Sequence, residues 1–519
     1  MAPNMASTVI PSTGDSLPTA KDLSAIFVPA MRAHKKSAFK SVMGDPTSAM
    51  INMAGGVPHP DTFPILQLQA KVKPLGSGNE GKRPRDTIVL NKSQRCQSTE
   101  SLDELLQYGA GCGVESYCNF LQKYTQLVHR PKYSDWGVIS SCGNTDAIGK
   151  AVSLFCEAGD SILVEKWTFP GALGSFAAAK VLPVPVDMDG EGMDPDSLDR
   201  ICTSWGEAHP LRALYLVPTG QNPTGATMSF ERRQKIYSVA RKHNLAIIED
   251  DPYYFLQLAP YSIGESSSIN KVMMAELDVQ QADALVPSLL SLDVDGRVIR
   301  LDSFSKVLAP NLRCGWITAP TYILDKLQIL NESTILQPSG LTQGVISKLL
   351  NDTWGIDGWN RHLCELRAVY TYRRNMFVCM VDRYLSGLVE YVVPSAGMFL
   401  WMKINLGSEG STNSSAMPQL LENMKKCGVM MAPGMPFCCD TSSNSATSPE
   451  HYLRAAFALV DVNMFEPALK RLAQAIIAIH GIQPSTVQDS TCAISKQHTK
   501  NGNVASSLSG KVVADSIIA

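Results

Sequence analysis

The sequence predicts an α/β protein, with a large domain built on a mostly parallel sheet between helices and a smaller α+β domain. Three observations carry that expectation. Short apolar runs suited to buried strands recur at 137–140, 161–165, 181–186, 211–217, 245–249 and 297–303. Helical patterns separate them, most clearly 147–155 and 230–243, where Ser229 is placed to cap the N-terminus and Ile236, Val239 and Ala240 share a face. The length of 519 residues, 45% of them hydrophobic, suffices for two substantial cores. Strands alternating with helices build a parallel sheet covered on both faces, and functional residues then belong at strand C-terminal ends.

Composition excludes several classes of function. A net charge of −2 gives no reason to expect nucleic acid or an anionic membrane as partner. No apolar run is long enough to span a bilayer, and residues 1–20 show no basic start followed by an apolar core. Thirteen cysteines without a C-x-x-C pair fit reduced thiols and a cytoplasmic location better than disulfides or a zinc site, so no metal is expected.

Taken in order, residues 1–50 read as an N-terminal arm, partly disordered, because the first stretch is rich in Ser, Thr and Pro. Residues 51–115 read as the N-terminal part of the small domain. Ile51-Asn-Met-Ala-Gly55-Gly56-Val-Pro58 suggests a short strand entering a glycine turn, and about 71–101, rich in Gly, Lys, Arg, Ser and Asn, an exposed insertion. Residues 116–355 form the large domain, interrupted by a second insertion at about 262–296. A helix at about 357–381 leads into the C-terminal small domain, 356–483, with strands near 397–404 and 452–457. Residues 484–519 read as a disordered tail.

One stretch carries the chemistry: Val298-Ile-Arg-Leu-Asp-Ser303-Phe304-Ser305-Lys306-Val-Leu-Ala-Pro310-Asn-Leu-Arg313-Cys-Gly315-Trp316. Lys306 lies between Phe304 and Val307-Leu308 rather than among charges, which points it into a partly desolvated pocket. Desolvation lowers an amine's pKa and makes it reactive toward an aldehyde. Arg313, with the hydroxyls of Ser303 and Ser305, can hold a dianionic group near that amine. A phosphorylated aldehyde fits, and pyridoxal 5'-phosphate is the candidate. The bland alternative is a strand followed by a polar turn with a solvated lysine.

Two further segments narrow the choice, Pro218-Thr-Gly-Gln-Asn222-Pro223-Thr224-Gly225 and Ile247-Ile-Glu-Asp250-Asp251-Pro252-Tyr253-Tyr254. Together with S-x-S-K they resemble the N-P-T-G, D-x-x-Y and lysine segments of class I/II aminotransferases, which are fold-type I pyridoxal-phosphate enzymes. The similarity runs from about 51 to about 480 and is nearest to fungal aromatic aminotransferases and kynurenine/aminoadipate aminotransferases.

The resemblance implies a seven-stranded large-domain sheet and pyridoxal 5'-phosphate joined to Lys306. It implies that Asp251 partners the pyridine nitrogen, with Asp250 the neighbouring candidate, and that Asn222 and Tyr254 bond the phenolic oxygen. Gly143, Asn144 and Thr145, at the start of a helix, become the phosphate cradle together with Ser303, Ser305 and Arg313. Phe169 stacks on the ring, or is simply a core aromatic beside Trp167. Tyr108 reaches the other subunit's cofactor phosphate, which implies a homodimer. Gly55, Gly56, Asn222 and Phe399 line the substrate, although two glycines before a proline equally make a plain turn. Arg454, in Tyr452-Leu453-Arg454-Ala-Ala-Phe457, grips the α-carboxylate, and Arg32 in the arm meets a distal one.

The implied activity is transfer of the amino group of an aromatic L-amino acid to a 2-oxo acid such as 2-oxoglutarate, by a ping-pong cycle. The alternatives are an aminotransferase for lysine or aminoadipate-type substrates in a secondary-metabolite pathway, and a lyase or decarboxylase on the same fold.

Overall fold

The computed structural model describes residues 17–35, 56–73, 75, 87–95, 99–206, 209–261, 285–406, 416–439 and 449–479. Phe27 and Val28 are buried, and Val28 N donates to Leu154 O at 2.9 Å, so the arm is packed against the large domain. Next comes an antiparallel hairpin of β1 (Gln67–Lys71) and β2 (Thr87–Asn91). This corrects part of the exposed insertion expected at 71–101. Thr87-Ile-Val-Leu-Asn91 alternates with period two, and Ile88 and Leu90 are buried, Leu90 packing with Leu102 and Leu105.

The central sheet contains β3 (Trp136–Ser141), β4 (Ser161–Glu165), β5 (Leu182–Val186), β8 (Ala213–Leu216), β9 (Ala246–Asp250), β10 (Val298–Ser303) and β11 (Gly315–Pro320), with a small ribbon of β6 (Met188–Asp189) and β7 (Gly192–Met193) beside it. The order is β3-β11-β10-β9-β8-β4-β5. All neighbours run parallel except β11, which is antiparallel to both β10 and β3. Every residue of β4, β8, β9, β10 and β11 is buried, which explains why these strands read as continuous apolar runs. Ile162 and Val164 join one core while Leu163 joins the other, on the opposite face.

Helices Asn144–Phe155 and Phe230–Lys242 match the periodic segments, and Ser229 Oγ accepts from Arg232 N at 3.2 Å. The insertion expected at 262–296 falls partly outside the described residues. From 285 onward it is core: Leu289 and Leu290 are buried, and the Asp293 carboxylate accepts from the backbone of Asp295, Gly296, Arg297 and Val298. There the Asp293 carboxylate caps a buried turn.

After helix Gly340–Lys348 and a π-helical turn, Leu349–Trp354, the helix Gly355–Tyr384 leads to a second sheet. That sheet is antiparallel, in the order β12 (Val389–Tyr391), β13 (Phe399–Ile404), β15 (Tyr452–Ala456) and β14 (Ala432–Pro433). Helices Ala416–Cys427 and Phe465–Ile477 supply its core through Leu420, Met424, Leu469 and Leu472. Among the described residues, no helix is long and apolar enough to cross a membrane.

Candidate active site

Four strands of the central sheet deliver side chains to one edge, and β13 and β15 close it from the other side. β10 ends at Ser303 and turns tightly, with Leu308 N and Ala309 N both donating to Phe304 O, so that Lys306 stands at the tip of the β10–β11 hairpin. Burial pushes the Lys306 amine below its ordinary range. The cations Arg454 and Arg313 push it the same way, and only Asp250 opposes them. A less protonated amine is a better base and nucleophile.

Beside the lysine lies a group of donors. Gly143 precedes helix Asn144–Phe155 at φ 89°, a left-handed conformation that glycine adopts without strain. A Cβ there would also sit 2.8 Å from Arg313 Nη2. Arg313 donates to Cys142 O at 2.7 Å and to Ser305 Oγ at 3.4 Å, and Ser303 Oγ donates to Ser305 Oγ at 2.8 Å. Thr145 is exposed at the same helix start. Gly143, Asn144, Thr145, Ser303, Ser305 and Arg313 therefore meet around one helix N-terminus, where free N–H groups and the dipole favour an anion.

The loop after β8 carries Asn222, which is buried, and Arg454 Nη1 donates to its Oδ1 at 2.7 Å. The Arg454 guanidinium lies between two rings, 4.3 Å from the centroid of Phe399 and 4.8 Å from that of Phe437, and its Nε is buried without a partner. Phe399, expected to face a substrate, thus holds one face of the arginine. Phe437 belongs to a seam between the two sheets. Thr168 N donates to Phe437 O at 2.8 Å, Cys439 N donates to Lys166 O at 3.1 Å, and Trp167 packs edge-on against Trp401. Phe169 follows at the N-cap of helix Pro170–Ala178, half-buried.

The two acidic residues where β9 ends, Asp250 its last and Asp251 the next, part company. Asp250 accepts from Asn144 Nδ2 at 2.6 Å and from Tyr215 Oη at 2.6 Å, and burial raises its carboxyl to about 6. Asp251 turns to the other face of the sheet, where it meets Arg300 Nη1 at 3.1 Å and Thr219 Oγ1 at 3.2 Å, and burial raises it to about 7. Arg300 is fully buried and also pairs with Glu249 at 3.2 Å and Asp302 at 2.8 Å. The tyrosines divide in the same way. Tyr254 lies under Arg300, whose guanidinium carbon is 4.6 Å from its centroid, and next to His129. Tyr253 packs edge-on against Phe399 and feels the charges of Asp250 and Arg454. Asp251 and Tyr254 are therefore not brought to Lys306, whereas Asp250 is, with Tyr253 beside Asp250 and Arg454. D-x-x-Y occurs twice in Asp250-Asp-Pro-Tyr-Tyr254, and alternation at the end of β9 sends Asp251 to the opposite face from Asp250, with Tyr254 following it to Arg300 from the turn beyond.

Tyr108 is 64% exposed in the loop before Gly109, and Gly56 is open, with nothing within 4 Å of a Cβ placed on it. Gly55 lies outside the described residues. Arg32 is exposed on the short helix Pro29–Ala33. The sequence reading missed Phe437, an aromatic without a distinctive pattern, and His362. The His362 ring is stacked on Trp354 and Trp359, and its Nε2 lies 2.7 Å from Val307 O, next to the lysine.

Comparison with known proteins agrees with this geometry. The family model described as aminotransferase class I and II matches residues 76–472. An aromatic amino acid aminotransferase of Schizosaccharomyces pombe is 36% identical, covering 87% of this chain and 97% of its own. An L-tyrosine:2-oxoglutarate aminotransferase of Tapinella panuoides is 35% identical, covering 82% and 89%. Among solved structures, the aminotransferase Aro8 of Candida albicans superposes with a TM-score of 0.80 at 33% identity, covering 90% of this chain and 100% of that one.

Proposed function

Since the chain belongs to the class I and II aminotransferases, we propose that it moves the amino group of an aromatic L-amino acid to a 2-oxo acid such as 2-oxoglutarate, using pyridoxal 5'-phosphate. The observation that carries this reading is the meeting of a partly desolvated lysine and an aromatic-clamped arginine in one half-buried site. The names of the S. pombe and T. panuoides relatives support the substrate class.

The residues present fit the cofactor. The cradle at Gly143 stays open only without a Cβ, and Arg313, Ser303 and Ser305 border it. A buried carboxylate, Asp250, lies within electrostatic reach of Lys306. When bound, the cofactor supplies an aldehyde that exchanges oxygen for an amino group and a ring that accepts the charge left by a departing α-proton. The cradle residues would hold its phosphate, and Asp250 would keep a proton on its ring nitrogen. Asn222 and Tyr253 would bond its phenolic oxygen, and Phe169 would pack against the ring. Asp250 and Tyr253 take the roles that the motif alone gave to Asp251 and Tyr254.

Arg454 binds the α-carboxylate through its planar fork, which orients the α-C–H bond toward Lys306. Lys306 Nζ, held less protonated, takes the α-proton and returns it on the other side of the exchange. Tyr253, Phe399 and Phe437 leave an apolar surround that suits an aromatic side chain. The 2-oxo acid presents the same carboxylate to Arg454, so one grip serves both half-reactions. We further propose a cytoplasmic homodimer in which Tyr108 crosses to the neighbouring site.

The test is a panel of phenylalanine, tyrosine, tryptophan, aminoadipate and lysine with 2-oxoglutarate. Aromatic donors are expected to give the highest kcat/KM. A wide preference for lysine or aminoadipate would overturn the substrate class and leave amino transfer standing.

A further inference from the structure

Behind the phosphate cradle lies a buried cation that the proposed chemistry does not use. Lys150, on helix Asn144–Phe155, has a side chain only 8% exposed. Its Nζ lies 2.6 Å from Asp146 Oδ1, one turn earlier, and 2.6 Å from Asn331 Oδ1 on helix Thr321–Thr334. The other oxygen of Asp146 accepts from Cys142 N at 3.0 Å. The Cys142 carbonyl accepts from Arg313, so the peptide groups that enter the cradle are held from both sides. Asn331 spends its two donors on Gly111 O at 2.7 Å and Ser140 O at 3.1 Å, which ties the end of β3 to the loop that follows Tyr108.

The arrangement poses an electrostatic problem. A carboxylate that caps the backbone at the mouth of an anion site repels the anion, and most strongly where water is partly excluded. Lys150 cancels that charge without entering the site, and its buried stem leaves it little freedom to turn away. We infer that Lys150 is a positioning residue: clamped between Asp146 and Asn331, it neutralises the capping carboxylate and so allows the cradle to retain a phosphate dianion. The inference rests on the proposed use of pyridoxal 5'-phosphate. Asp146 is then tolerated at the mouth of the cradle because its charge is already matched, and Asn331 keeps the cation in place.

The test compares the dissociation constants of pyridoxal 5'-phosphate and of pyridoxal, which lacks the phosphate, in parent and variants, followed by absorbance. Lys150→Met is expected to weaken pyridoxal 5'-phosphate by about tenfold or more, the scale of one hydrogen bond to a charged group, and to leave pyridoxal nearly unchanged. Lys150→Met combined with Asp146→Asn is expected to recover the parent ratio, since Asn can still accept from Cys142 N while carrying no charge. A purely structural role for Lys150 predicts equal losses for the two ligands and no rescue. If Lys150→Met does not fold, Asp146→Asn alone serves, because the unmatched cation should raise the ratio in favour of the phosphorylated ligand. Equal losses, or a ratio unmoved by either change, would overturn the inference while a parent that binds the cofactor keeps the functional reading. A parent that bound no pyridoxal 5'-phosphate would overturn both.

Discussion

Asp250→Asn should make the cofactor-free protein more stable while crippling it as an enzyme. Burial raises the Asp250 carboxyl from 3.8 to about 6. An unfolded chain releases that proton from about pH 4, and the folded chain not until about pH 6. The ionised group therefore costs stability that builds up between those values and is complete above them. At 1.36 kcal/mol per pH unit the cost reaches about 3 kcal/mol. Asparagine avoids it. Its oxygen can accept from Asn144 Nδ2, and the Tyr215 hydroxyl can turn from donor to acceptor toward the new amide. The variant's advantage in urea unfolding should approach about 3 kcal/mol at pH 8 and vanish near pH 4. Turnover should fall by about 10²–10³, the scale for removing one preorganised electrostatic partner. Asp251→Asn, on the other face, should change kcat by less than about tenfold, since it touches no reacting group. If Asp251→Asn lost turnover while Asp250→Asn kept it, the assignment by strand parity would be wrong. A destabilised Asp250→Asn at pH 8 would refute the energetic reasoning.

Lys306→Ala should abolish amino transfer with the fold intact by circular dichroism; exchange at the parent rate would remove the lysine from the mechanism. Arg454→Ala loses two charge-assisted hydrogen bonds of about 1.5–3 kcal/mol each, so kcat/KM should drop roughly 10²–10⁴-fold for every amino acid alike. Its acid limb should also move to higher pH, because a cation that holds the Lys306 amine down is gone. Arg300→Met leaves Glu249, Asp251 and Asp302 facing one another and should cost about 3–5 kcal/mol at pH 8. The loss should shrink as the pH falls, because burial already raises the carboxyls of Asp251 and Asp302 and removing the Arg300 charge raises them further, so both take up protons; chemical denaturation at pH 8 and pH 5 measures it.

The strands with no polar face were legible as apolar runs, and so was the S-x-S-K tip that follows β10. β11 was not, because Gly315-Trp-Ile-Thr-Ala-Pro320 begins inside the lysine motif and ends in a proline that suggests a stop. Side-chain direction was the harder quantity. Asp250 and Asp251 differ by one position and a whole sheet face, and a motif that matches at both registers carries no parity of its own. The Lys150, Asp146 and Asn331 contact joins residues 181 positions apart, which no local pattern displays. Arg300 was not singled out as a charge inside a strand, and its acidic neighbours are Glu249 on β9, Asp302 on β10 and Asp251 just past the end of β9, which the strand period puts on one face.

The order of these residues along the chain gives synthesis a direction. The groups at Gly143, Asn222, Asp250, Lys306 and Arg313 all leave the ribosome before Arg454, which waits on the third strand of the second sheet to pair with β13. A growing chain thus completes the parts that would hold a cofactor well before it owns the part that would grip an amino acid.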